Sequence, residues 1–388
     1  MNCFLDRLYT NMAGIYIHIP FCRQACNYCN FHFSTSLHYK NAFIQALLKE
    51  IELQATANYL QDQQVETIYF GGGTPSLLQT DELALVMNAL HQWFNIQPTA
   101  EITLEANPDD VTGEKLAGWK TLGINRLSIG IQSLFEEDLQ WMNRAHTAAE
   151  AKNVISKARA AGFETFTVDL IYGTPGLSDE KWKQNLEWVV AQGITHLSCY
   201  ALTVEEKTAL DKQIRLQQKQ PVDAEQQGRQ FLLLMDYMQQ AGFEHYEISN
   251  FAKPGHRSKH NSSYWHGTHY LGLGPSAHSF NGNSRQWNVA NNQQYIQSLE
   301  QTTIPFEKEE LTETQRLNEY IMTSLRLMEG CDLNFINQKF GPASVAAIQQ
   351  EAAVFLNNGR LIEKDQHLIL TKEGKLFADR IASDLFFS

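Results

Sequence analysis

The chain alternates between short apolar runs and longer stretches with a helical period. Strand-like runs fall at residues 14–19, 66–70, 101–105, 125–132, 165–171 and 194–202, and several, such as RLSIGI and VDLIY, are apolar at most positions. Runs of that kind suit strands buried on both faces. Between them, residues 39–59, 81–94, 148–161 and 179–191 repeat apolar side chains at the spacing of helices packed on one side. This βαβα order predicts an α/β fold with a parallel sheet, and six such units predict a barrel or part of one. A doubly wound open sheet is the competing architecture, which periodicity does not separate from the barrel. In a barrel, chemistry gathers at the C-terminal ends of the strands. The unusual residues of this chain fall there.

The pattern changes after residue 224. A helix is expected over 224–241 and a short strand over 245–248. Residues 251–292 are then rich in Gly, Ser, Asn and His and show little periodicity. Loops of that length are uncommon unless functional, and Tyr264, Trp265, Tyr270, Phe280 and Trp287 argue for order. From residue 311 the sequence predicts a small helical unit: helices over 314–328 and 344–357, a hairpin of 361–364 and 367–370, and a last helix from 372. That order is winged-helix-like. The chain thus divides into a core at 1–245, a His- and aromatic-rich connecting region at 246–310 and a C-terminal domain at 311–388. The last carries eight Lys or Arg against ten Asp or Glu. It lacks the basic footprint of a DNA reader and is expected to pack or to dock a partner.

Composition narrows the class. The chain has 388 residues, 43% hydrophobic and 19% charged, which suits neither a disordered nor a fibrous protein. With 31 Lys and Arg against 43 Asp and Glu, its net charge of −12 repels phosphate backbones, so no nucleic-acid partner is expected. No apolar run approaches the roughly 20 residues of a membrane span. Residues 1–13 lack the apolar core of a secretory signal. A cytoplasmic location is expected, with peripheral membrane contact and a homodimer both left open. Met12 offers an alternative start (MAGIYIHIP).

Six cysteines sit at 3, 22, 26, 29, 199 and 331, three of them within eight residues. Cys22-x3-Cys26-x2-Cys29 directly follows the first strand. Three thiolates can hold three irons of a [4Fe–4S] cluster and leave the fourth open to a chelating ligand. The alternatives are a zinc site completed by His18 or His32, and chance, although x3-x2 is not a zinc-knuckle spacing. Gly71, Gly72, Gly73 and Thr74 follow the second strand, where glycines let backbone approach a ligand or simply turn. Glu105 ends the third strand, Gln132 the fourth and Asp169 lies near the end of the fifth, with Arg144 beyond Gln132. Each is a polar group at a barrel rim, suited to a ligand contact or to a structural hydrogen bond. Residues 256–278 hold five of the 13 histidines, including His260 in HNSSYW. Histidines among aromatic side chains suit metal or haem ligation, or a hydrogen-bonded loop.

The stretch GIYIHIPFCRQACNYCNF resembles the radical S-adenosylmethionine (SAM) superfamily, and within it the oxygen-independent coproporphyrinogen III oxidase-like branch. That resemblance implies a partial (β/α)6 TIM-like barrel, a [4Fe–4S] cluster on Cys22, Cys26 and Cys29, and SAM at the open iron. Residue by residue, it implies SAM contacts from Tyr16, Tyr28, Gly72, Gly73, Thr74, Glu105, Gln132, Arg144 and Asp169. Thr203 is a looser match and is not carried over. HNSSYW resembles the HNxxYW signature of the HemW-type haem chaperones, which implies haem at His260. True oxidases of the branch carry a further cysteine two residues after the third, where this chain has Phe31, and a long N-terminal extension, where it has 21 residues before Cys22. The resemblance therefore implies a binding protein that passes haem to acceptors such as respiratory haem enzymes. Its rival is an enzyme that cleaves SAM reductively to decarboxylate coproporphyrinogen III oxidatively. A radical methylase or porphyrin-opening enzyme is a third option.

Overall fold

A computed structural model describes residues 12–60 and 63–387. Cys3 and the segment before Met12 lie outside that range. Six parallel strands run through the first half: β1 (Met12–Ile19), β2 (Gln64–Gly72), β3 (Ile96–Ala106), β4 (Arg126–Gln132), β5 (Thr165–Tyr172) and β6 (His196–Ala201). Each pairs in parallel with the next in sequence. The order never reverses, which excludes a doubly wound sheet and gives a partial barrel. The apolar runs explain the strands, since Ile15, Ile17, Leu104, Leu127, Ile129, Val168 and Leu170 are all fully buried.

Residues 244–310 extend both sides of this sheet. β7 (Glu244–Glu247) and β8 (Asn250–Ala252) lie beyond β6. β9 (His269–Leu273) returns to pair in parallel with β1, and β10 (His278–Phe280), β11 (Ser284–Asn288) and β12 (Phe306–Glu310) follow antiparallel. The aperiodic stretch 251–292 is therefore ordered. Its elements have three to seven residues, too few to display a period, and distant partners fix them. Helix Lys259–Trp265, for example, is capped by the Ser258 hydroxyl and receives the Glu101 carboxylate at its Lys259 and His260 amides. β12, with the sequence FEKEE, is exposed along its whole length.

The C-terminal unit has the winged-helix pattern. Helices Glu313–Leu325, Leu333–Phe340 and Pro342–Asn357 precede the hairpin of β14 (Leu361–Lys364) and β15 (His367–Leu370), joined at its edge by β13 (Cys331–Asp332). Its core includes Leu317, Ile321, Leu333, Ile336 and Leu368. It caps β7: the Met328 amide donates to the Tyr246 carbonyl and the Ile248 amide to the Arg326 carbonyl. Arg326 Nε also donates to the buried Glu247 at 2.9 Å. Among the described residues, no helix is long and apolar enough to cross a membrane.

One buried carboxylate ties the added strands to the barrel. Glu50, on helix Lys40–Thr56, accepts from Tyr295 Oη and Asn288 Nδ2 at 2.6 Å and from the Gly274 amide at 2.8 Å. Burial raises its pKa from 4.5 to about 7, against those hydrogen bonds. Glu50→Ala, which orphans these donors, is expected to cost roughly 2–5 kcal/mol in a urea titration. Because the folded pKa exceeds the unfolded one, the stability linked to protonated Glu50 is complete below pH 4.5 and is lost as pH rises through about 7. Glu50→Gln should remove that component of the pH profile.

Candidate functional site

The C-terminal ends of the strands surround a cavity of about 430 Å³. Eleven of the thirteen expected site residues line it: Cys22, Cys26, Tyr28, Cys29, Gly72, Gly73, Thr74, Glu105, Gln132, Arg144 and Asp169. The cysteine loop leaves β1 and closes on itself, since the Cys22 amide donates to the Ser34 carbonyl and the Ser34 amide to the Pro20 carbonyl. Asn27 pins its middle, donating from its amide to the Met142 carbonyl and from Nδ2 to the Trp141 carbonyl. Asn143, at φ +58°, donates Nδ2 to the Ala25 carbonyl at 2.7 Å. All three loop cysteines are free thiols.

The glycine run fits against the base of this loop. The Gly73 amide donates to the Ile19 carbonyl at 2.9 Å and the Thr74 amide to the Phe21 carbonyl at 2.7 Å. A Cβ at Gly73 would lie 2.7 Å from both of those carbonyl oxygens, so only glycine permits the approach. Gly72 adopts φ +101°, and a Cβ there would meet the His18 ring at 2.5 Å. Thr74 then donates its hydroxyl to Cys22 Sγ at 3.4 Å.

Arg144 organises the opposite wall. Its Nη1 donates to Cys26 Sγ at 3.3 Å and to Tyr28 Oη at 3.4 Å, while Nη2 donates to Asn107 Oδ1 at 2.6 Å and to the Gly130 carbonyl at 3.0 Å. Its buried Nε has no partner among the described residues. Asn107 was not singled out in the sequence, yet it bridges the walls by donating Nδ2 to Thr74 Oγ1 at 3.3 Å. Its position two residues after Glu105, in LEANP, was the available signal. Two carboxylates face the space. Burial pushes Glu105 up to about 8, with Tyr69 Oη donating to it at 2.8 Å. Burial likewise raises Asp169 to about 6, with Ser128 donating at 3.1 Å. Burial also raises the thiols of Cys22, to about 11, and of Cys29, so that without a metal both hold their protons at neutral pH.

Tyr16 and His260 lie elsewhere. Tyr16 lines a second cavity of about 370 Å³ with His18, Asn30, Phe31, His32, Tyr264, Tyr270, Ser276 and His278. His260 is 1% exposed and plugs the barrel interior. Its Nδ1 is hydrogen-bonded to Thr67 Oγ1 at 2.8 Å and its Nε2 to Tyr264 Oη at 2.9 Å, with its ring stacked on Tyr69. Both nitrogens of this imidazole, the one expected at haem, are engaged by hydroxyls in a closed core. The two histidines of the zinc alternative, His18 and His32, line the second cavity rather than the first. His18 is bonded at Nδ1 to Tyr16 and at Nε2 to the His32 carbonyl, and His32 Nε2 to Asn292.

Comparison with known proteins agrees with this geometry. Residues 16–189 match the radical SAM superfamily model, and residues 311–377 match the HemN C-terminal domain. The chain is 34% identical to the heme chaperone HemW of Mycobacterium tuberculosis over 96% of its own length and 94% of that protein's. With the HemW of Bacillus subtilis it shares 30% identity over 95% of this chain and 98% of the other. The chain belongs to the HemW family of radical SAM proteins. The HemW family's fold has a solved counterpart in coproporphyrinogen III oxidase (HemN) from Escherichia coli, with a TM-score of 0.84, 23% identity, and coverage of 100% of this chain and 93% of the other. At that identity the likeness concerns the fold. For this HemW-family chain, Gly73→Ala is expected to overpack the loop base and cost roughly 1–3 kcal/mol. Hydrogen exchange should then quicken at the amides of Cys22 and Ser34, a change checked by mass spectrometry on peptides spanning residues 20–34.

Proposed function

We propose that this chain is a haem chaperone on a radical SAM scaffold, binding a [4Fe–4S] cluster, SAM and haem and delivering haem to acceptor apoproteins such as respiratory haem enzymes. The observation that carries this reading over the oxidase is Phe31. It stands where the oxidases carry their additional cysteine, is 65% exposed, and forms part of the walls of both cavities. A solvent-facing aromatic ring suits the apolar face of a porphyrin better than it suits radical chemistry. The similarity to HemW chaperones along nearly the whole chain points the same way.

The residues present fit the cluster and SAM. Cys22, Cys26 and Cys29 share one cavity, and two of their sulfurs already receive donors, from Thr74 and Arg144, of the kind that stabilise ligating thiolates. Bound there, a [4Fe–4S] cluster with one open iron supplies a coordination site for a chelating ligand and one-electron chemistry. Burial favours the neutral forms of Glu105 and Asp169, and a ligand with cationic ammonium and sulfonium groups beside them would restore their charged forms. Glu105 would accept from the ribose hydroxyls, with Gly72, Gly73 and Thr74 at the amino group. Tyr28, Gln132 and Arg144 would complete the walls, and Tyr16 would contribute from the adjoining cavity. The cytosol is the compartment this reading assumes.

Replacing any one of Cys22, Cys26 or Cys29 by Ala should abolish the broad absorbance near ~400 nm of anaerobically reconstituted protein. Iron and sulfide near four per chain in the triple variant would count against the assignment. Glu105→Ala should weaken SAM binding about five- to hundredfold, the equivalent of roughly 1–3 kcal/mol, in equilibrium titration. Turnover of coproporphyrinogen III by the cluster-loaded protein would favour the oxidase instead.

A further inference from the structure

The segment after β3 holds one side chain beside the cysteine loop. Pro108 keeps Asn107 out of the helical region, and the residue sits extended at φ −87° and ψ 145°. Its amide donates to Ser76 Oγ at 3.3 Å, and its carbonyl accepts from the Asp110 amide at 3.0 Å. Asp110, a buried carboxylate, accepts from Ser76 Oγ at 2.9 Å and from Arg23 Nη2 at 2.6 Å. Arg23 belongs to the cysteine loop and Ser76 follows the glycine run, so three segments meet at this carboxylate. The Asn107 backbone is thus held on both sides, and its side chain lies between Arg144 and Thr74.

The chemistry of the partners sets the direction of each hydrogen bond in this row. A guanidinium only donates, so the Asn107 atom 2.6 Å from Arg144 Nη2 is the carbonyl oxygen Oδ1. Nδ2 then faces Thr74 Oγ1 at 3.3 Å, and an amide nitrogen also only donates. The Thr74 hydroxyl accepts that bond, which leaves its single hydrogen for Cys22 Sγ at 3.4 Å. Thr74 is buried, so little water competes for the hydroxyl. The other two sulfurs have donors of their own: Arg144 Nη1 reaches Cys26 Sγ at 3.3 Å, and the Phe31 backbone favours the Cys29 thiolate. Hydrogen bonds to ligating sulfurs stabilise the electron-rich, reduced form of a [4Fe–4S] cluster and so raise its reduction potential.

We propose that Asn107 is a positioning residue for the cluster: its side-chain amide aims the Thr74 hydroxyl at Cys22 and thereby raises the potential of the one-electron couple. The inference rests on the cluster assignment.

Redox titration with dithionite and mediators, followed by electron paramagnetic resonance on the anaerobically reconstituted full chain without SAM, tests it. Asn107→Asp keeps an oxygen to accept from Arg144 but removes the donor to Thr74, so the hydroxyl turns to the new carboxylate and leaves Cys22. The reduced-to-oxidised ratio at a given potential should fall about tenfold, which is about 59 mV for one electron. Thr74→Val, which lacks the hydroxyl, should show a similar fall, and Thr74→Ser, which keeps it, should match the wild type. Adding Asn107→Asp to Thr74→Val should change little, because the group on which Asn107 acts is gone. A fall that persists undiminished in that double variant would belong to the added charge and would overturn the relay. Asn107→Ala, which adds no charge, should also lower the potential. Wild-type potentials in both Asn107 variants, or loss of the cluster from both, would overturn the inference while leaving the cluster assignment intact. A wild-type chain that holds no cluster would bring down both.

Discussion

The guanidinium of Arg144 is the contact on which the first cavity depends. Its four hydrogen bonds reach the cysteine loop, the residue after β3 that bridges to Thr74, and the backbone of β4. These groups come from three separate segments of the chain. A guanidinium is always charged and presents donors in a rigid fork, so it fixes their relative positions better than a flexible ammonium would. Burying that charge is costly unless acceptors surround it. The carbonyl, amide and sulfur groups on offer meet most of that need, and thiolates carrying metal would meet it more fully.

The glycine run solves the complementary problem on the other side. A parallel strand ending beside the cysteine loop must come within hydrogen-bonding distance of that loop, and side chains would block it. Gly72 and Gly73 remove the obstruction, and Thr74 turns the freed space into a donor for Cys22. Loop and strand end are therefore one unit. The cavity is held between this unit and Arg144, with the two carboxylates at its base.

Much of this was legible along the chain, for a physical reason. Strands buried on both faces write continuous apolar runs, and a cluster held by closely spaced thiols writes its spacing into a single loop. The wing hairpin at 361–364 and 367–370 was equally plain, since its turn and its alternation are local. What escaped depends on partners far away in sequence. His260 meets Thr67 across 193 residues, and no local pattern indicates that such a ring is enclosed rather than displayed. Glu50 was not singled out in the sequence, because the Asn288 and Tyr295 groups that engage it lie more than 230 residues on. Within 251–292, elements of three to seven residues carried too little period to be seen.

A barrel that does not close keeps two sheet edges, and unpaired strand edges invite other strands to add to them. Here the two ends are treated differently. β7 is sheathed by the C-terminal domain through Met328 and Arg326. β12 stays bare but carries Glu307, Lys308, Glu309 and Glu310 in succession, so an added copy of itself would bring acidic side chains up against one another. The fold can thus leave its interior open to bulky molecules and still resist the strand-on-strand growth that ends in amyloid-like aggregates.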